Sequence, residues 1–97
     1  MNIMKRKTLV DFWKKHTDSK NDLEAWFSEV KKSAWHGPAH IKKRYQSADF
    51  LKDNRVVFNI HGNRYRLIVK ISYKEKIVFI RFVGTHAEYS KINAETI

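Results

Sequence analysis

The sequence predicts an α+β fold in which N-terminal helices pack on one face of an antiparallel β-sheet, in the order β-α-α-β-β-β. Three observations carry this. Apolar residues recur at helical spacing before Pro38, the period changes to strand-like alternation from Arg55 onward, and 97 residues suit one domain spanning 1–97.

Met1 to Met4 read as a short strand with Ile3 inward. A helix fits Lys7 to His16, with Leu9, Val10, Phe12 and Trp13 on its apolar side, and Thr8 with Asp11 stands at capping-box spacing. Asp18 or Ser19 is placed to cap a second helix, in which Leu23, Trp26, Phe27, Val30 and Ala34 form one face. Pro38, the only proline, opens a helical turn through His40 to Tyr45. Then come Arg55–His61, Tyr65–Tyr73 and Lys76–Val83, rich in β-branched and aromatic residues. Gly62-Asn63 and Lys74-Glu75 link them, which implies an antiparallel meander. By alternation Val56, Phe58, Ile60, Leu67, Val69, Ile71, Val78, Ile80 and Phe82 face the helices. The opposite parity carries Asn59, His61, Arg66, Lys70, Ser72 and Arg81 among Val57, Ile68, Ile77 and Phe79.

Charge bounds the function. Twenty Lys and Arg oppose ten Asp and Glu, a formal +10, which favours a polyanionic partner such as nucleic acid or ribosome. The absence of cysteine excludes disulfides, thiolate zinc sites and Cys nucleophiles. No apolar run is long enough to span a membrane and no signal peptide is evident, so a cytoplasmic location is expected.

Candidate chemistry falls in three groups. The basic sheet face and its hairpin offer His61, Arg64, Arg66, Lys70 and Arg81, guanidinium and ammonium groups on rigid strands that suit phosphate. Gly84 to Tyr89 leaves the last strand and brings His86, which can give and take a proton near neutral pH, and Tyr89, which can stack or hydrogen-bond. Lys42, Lys43 and Arg44 beside Tyr45 mix cations with a ring, as RNA contact requires. Each group also has a structural reading, as solvated surface or packed aromatic. His36 and His40 have chelating spacing, but Pro38 lies between them and no acidic residue completes a site, so no metal or other cofactor is expected. A metal-free basic site narrows the chemistry to RNA, whose 2′-OH is a built-in nucleophile needing alignment, charge stabilisation and a proton relay.

Three stretches carry a family resemblance: Ala48-Asp49-Phe50-Leu51, Val57 to Leu67 (VFNIHGNRYRL), and Phe79 to Tyr89 (FIRFVGTHAEY). With them the chain resembles the HigB toxins of type II toxin–antitoxin systems, within the RelE/ParE superfamily. The resemblance implies a RelE-like fold and an mRNA interferase, an endoribonuclease acting on translated messages at the ribosome, checked by a HigA-like antitoxin. Carried over by position, Arg66 matches the strand arginine that grips the scissile phosphate. His86 falls where relatives place a basic or imidazole residue, and Tyr89 lies near a C-terminal active-site tyrosine. Arg66, His86 and Tyr89 are thus the expected catalytic residues, with Lys42, Lys43, Arg44, His61, Arg64, Lys70, Arg81 and Lys91 as expected RNA contacts. Two departures stand out. Val57 and Asn59 occupy the region where some relatives carry paired lysines, and Tyr89-Ser90-Lys91-Ile92-Asn93 lacks two carboxylates of the pattern Tyr-Asp-Lys-Ile-Asp. The alternatives to an endoribonuclease are a non-enzymatic ParE-like toxin and a nucleic-acid-binding regulator.

Overall fold

Alternating and helical patterns each find their element in a computed structural model that describes residues 1–97. The order is β1 (Asn2–Met4), α1 (Arg6–Lys15), a 3₁₀ turn (Thr17–Ser19), α2 (Lys20–Lys32), α3 (Pro38–Arg44), β2 (Asp49–Leu51), β3 (Arg55–Ile60), β4 (Tyr65–Ser72), β5 (Ile77–Thr85) and α4 (His86–Tyr89). The strands form one sheet in the order β1-β5-β4-β3-β2. The α+β class holds. The sheet is mixed rather than wholly antiparallel, because β1 runs parallel to β5 at one edge. The meander β3-β4-β5 is antiparallel as expected, and β2 extends it on the other side.

The helices pack on the inner face of the sheet. Leu9 and Trp13 of α1 and Leu23, Trp26 and Val30 of α2 are buried, in a core shared with Val56, Phe58, Leu67, Val69, Ile71 and Val78. Phe58 is central, with the rings of Trp26, Trp35 and Tyr45 at 5.5, 6.2 and 5.1 Å. Such aromatic burial supplies much of the driving force available to a domain this small.

Local capping differs from expectation. A single residue, Lys5, separates β1 from α1 and turns the chain in the left-handed region at φ 72°. The helix therefore starts upstream of Thr8, whose N–H donates to the Lys5 carbonyl, and Thr8 caps nothing. Ser19 is buried and spends its hydroxyl on the His16 carbonyl, while Asp18 faces the β3–β4 hairpin, so neither side chain caps α2. Ala34 lies beyond the end of α2.

One face assignment is also corrected. Ile68 pairs with Phe82 and Val69 with Ile80, leaving Arg81 as the extra residue of a β-bulge. The bulge reverses the parity, so Phe82 joins Ile68 on the outer face and Val83 packs against the core instead.

Candidate active site

Arg66 and Gly84 are direct cross-strand partners, so the strand arginine stands where β5 ends and α4 begins. Its Nη1 donates to the Asn63 carbonyl at 2.8 Å and, more weakly, to that of Tyr65 at 3.4 Å. Nε and Nη2 make no hydrogen bond within the chain, which leaves that edge of the guanidinium with two parallel donors able to take an oxyanion. The guanidinium carbon lies 5.8 Å from the centre of the Tyr89 ring, a cation–π contact joining β4 to α4. His86 and Tyr89 are three residues apart on α4, on neighbouring helical positions, and His86 is exposed.

A complete capping box holds this short helix. Thr85 Oγ1 accepts from the Glu88 N–H at 3.1 Å, and Glu88 Oε1 accepts from the Thr85 N–H at 2.8 Å. The Thr85 backbone N–H, the largest influence, holds the Glu88 carboxyl below its ordinary range. The Thr85-His86-Ala87-Glu88 spacing is that of a helix start, although a helix of four residues is too short to show periodicity.

The other basic candidates divide by place. Lys70 pairs with Arg55 and Phe79 on the outer face, four residues along β4 from Arg66, or about 13 Å. Arg81 Nε donates to the Ile97 backbone oxygen at 3.2 Å, and the buried Arg55 reaches the same oxygen through Nε and Nη2. Val57 and Ile68, also on this face, are buried. Lys91 follows α4 and is exposed.

His61 leaves the sheet face where strand parity places it, and Arg64, on the hairpin, turns with it toward the helical layer. His61 takes a left-handed turn conformation (φ 55°) and meets Asp22 Oδ2 at 2.6 Å, while Arg64 donates to Asp18 at 2.7 Å. Tyr65 donates to the other Asp18 oxygen at 2.5 Å. The Tyr65 hydroxyl chiefly, with Arg64, keeps the Asp18 carboxyl below its ordinary range, and the same bond raises the Tyr65 phenol. On α3, Lys42 donates to the Ala48 carbonyl, Arg44 pairs with Glu29 at 2.6 Å and covers the Tyr45 ring, and Lys43 is exposed without an ion pair.

Sequence reasoning missed two residues around the site. Asp18 reads as a helix cap yet anchors the hairpin, and Asn59 reads as a missing lysine yet stands directly across from Arg66. No group of three His, Asp or Glu side chains converges as a metal site requires. No helix is long and apolar enough to cross a membrane.

Residues 19–92 match the family model of the HigB toxin, described as the RelE-like toxic component of a toxin–antitoxin system. This chain belongs to the HigB toxin family. The mRNA interferase toxin HigB of Escherichia coli K12 is 30% identical over 96 residues, covering 97% of this chain and 92% of that protein. The mRNA interferase HigB of Shigella flexneri matches to the same extent. An mRNA interferase HigB of Escherichia coli O6:H1 strain CFT073 is 22% identical over 94 residues, covering 95% and 91%. The HigB family match begins at the 3₁₀ turn and ends just after α4. It therefore takes in Arg66, His86, Tyr89 and every basic candidate above.

Proposed function

We propose that this HigB-family chain is a metal-independent endoribonuclease that cleaves messenger RNA and so inhibits translation. The family match and the names of its relatives support the reading. The observation that carries it is the open fork of Arg66, held beside α4 by Tyr89. A phosphate seated on Nε and Nη2 is positioned and its transition-state charge stabilised, while the neighbouring ribose 2′-OH attacks the phosphorus. His86 acts as general acid or base, giving a proton to the departing 5′ oxygen or taking one from the 2′-OH. Tyr89 orients the guanidinium and stacks or hydrogen-bonds near the cut. Lys43, Lys70, Arg81 and Lys91 contact the RNA backbone, with Lys42, Arg44, His61 and Arg64 at the margins of that surface.

We further propose that cleavage occurs on translating ribosomes in the cytoplasm, and that a HigA-like antitoxin presents acidic groups to the basic face. Mapping 5′ ends on messenger RNA after induction tests the core of this reading. Arg66→Ala is expected to lower cleavage by roughly 10²–10³, the scale of one electrostatic donor, and His86→Ala to flatten the pH–rate profile. Arrest of growth with intact messages and blocked DNA replication would overturn it.

A further inference from the structure

After α4 the chain turns back, and residues 93–97 lie as a strap on the outer face of the sheet. Asn93 shapes the strap: its carbonyl accepts the Thr96 and Ile97 N–H groups at 3.2 and 3.1 Å, and its side-chain oxygen accepts that of Glu95 at 3.0 Å. No backbone hydrogen bond joins the strap to a strand. Two polar attachments hold it instead. The Ile97 backbone oxygen accepts from Arg55 Nε and Nη2 at 3.1 and 3.0 Å and from Arg81 Nε at 3.2 Å. Glu95 pairs with Lys52 at 3.5 Å, with both side chains exposed. Within the strap only Ala94 and Ile97 are half-buried, so little apolar surface secures it.

Cations crowd beneath it. Arg55 stands directly across from Lys70, and Arg81 lies two residues along β5 from Phe79, the other neighbour of Lys70. Like charges set opposite one another on a sheet repel. Arg55 is 7% exposed, yet its one carboxylate, the exposed Asp53, is 3.8 Å from Nη1. A guanidinium so buried calls for a close oxyanion. The Ile97 oxygen serves three N–H donors with two lone pairs, so they must share it. A phosphodiester carries two charged oxygens and gives each guanidinium its own.

The cluster shares its face with Arg66, about 13 Å along β4 from Lys70. A single strand seated on Arg66 reaches it within a few nucleotides. We propose that Arg55 and Arg81 form a second phosphate site for the RNA backbone, and that residues 93–97 occupy this site in cis until RNA displaces them. The strap is then a built-in competitor of the RNA. The inference rests on the ribonuclease reading, which supplies the strand.

The test measures binding of a 2′-O-methyl oligonucleotide, which lacks the attacking hydroxyl, to the chain and to one stopped after Ile92. The shorter chain, checked by melting, is expected to bind about tenfold tighter, the scale of one hydrogen bond between charged partners. Its salt slope should steepen by about 0.7, one added phosphate contact. Arg55→Gln and Arg81→Gln in the shorter chain should each abolish the gain. In the ¹⁵N-labelled full chain, where no variant need fold, the oligonucleotide should move the Ile97 N–H and Arg55 Nε–H signals. Equal affinity and slope for the two chains would overturn the proposal, as would Ile97 and Arg55 signals that stay fixed while those around Arg66 move. Release of the strap by the antitoxin protein and not by RNA would overturn it too. Messages cut equally well by both chains, with unchanged affinity, would sink the strap and leave the ribonuclease reading standing. Tighter binding by a shorter chain that, like the full one, cuts no RNA would do the reverse.

Discussion

At the residue scale the site depends on how near backbone and ring approach Arg66. Gly84, its cross-strand partner, is buried, and a Cβ there would sit 2.5 Å from Phe82 Cζ and 3.2 Å from Glu88 Cβ. Gly84→Ala must push the Phe82 ring aside or lift α4. Overpacking of this kind costs about 1–3 kcal/mol, and each kcal/mol lowers Tm by about 4–8 °C in a domain of this size. A thermal melt checks the loss, and cleavage should fall further than stability alone explains, because α4 carries His86 and Tyr89. An unchanged melt would show that the ring yields freely. The place of Arg66 on the outer face of β4 was legible in the sequence, from strand alternation alone. The destinations of His61 and Arg64 were not, because parity presumes extended backbone and His61 departs from it at φ 55°.

At the scale of elements, α4 and two latches hold the surroundings of the candidate site together. Thr85→Ala removes the acceptor for the Glu88 N–H, at a cost of about 1 kcal/mol, and Thr85→Ser should restore most of it. If α4 positions His86, the alanine variant loses turnover while RNA affinity changes little, and single-turnover kinetics separates the two. One latch, Asp18 with Tyr65, ties the 3₁₀ turn to β4, and the other, Glu29 with Tyr45, ties α2 to the end of α3. Hydrogen bonds from the partner tyrosines lower both carboxyls, against a desolvation that at Glu29 is the largest single influence. A depressed carboxyl stabilises the fold above its ordinary pKa, 3.8 for Asp18 and 4.5 for Glu29, and that contribution vanishes as pH falls through the lowered value. The phenols are raised from 10.0, Tyr45 mainly by burial and Tyr65 mainly by its bond to Asp18. Their contribution is full below pH 10.0 and disappears as pH climbs through the raised values. Melting temperature should therefore drop below about pH 4 and above about pH 10, and Asp18→Asn should blunt the acid limb. The long amphipathic face of α2 and the alternation of β3 to β5 made these layers predictable. The short β2, the bulge at Arg81 and the four-residue α4 were hidden, because pairing and capping define them and no run of apolar residues does.

Over the whole molecule, a net charge of +10 draws RNA in, but its cations are not equivalent. Arg44 and Arg64 are paired with Glu29 and Asp18, whereas Lys43 and Lys70 are exposed without an ion pair. Only cations that neutralise phosphate release counterions, and for single strands log K falls with log salt at about −0.7 per phosphate contact. If about four such contacts form, the slope of RNA affinity is near −3. Lys43→Ala and Lys70→Ala should each make it shallower by about 0.7, uniformly across RNA sequences. Arg64→Ala frees Asp18 from its partner as it removes a cation, so its effect belongs to hairpin stability rather than to the salt slope. Binding of a short RNA measured from 50 to 300 mM salt distinguishes these cases. A slope that Arg64→Ala flattens as much as Lys70→Ala does would mean that RNA pulls Arg64 off Asp18, and that the basic surface extends around the hairpin instead of stopping at the sheet.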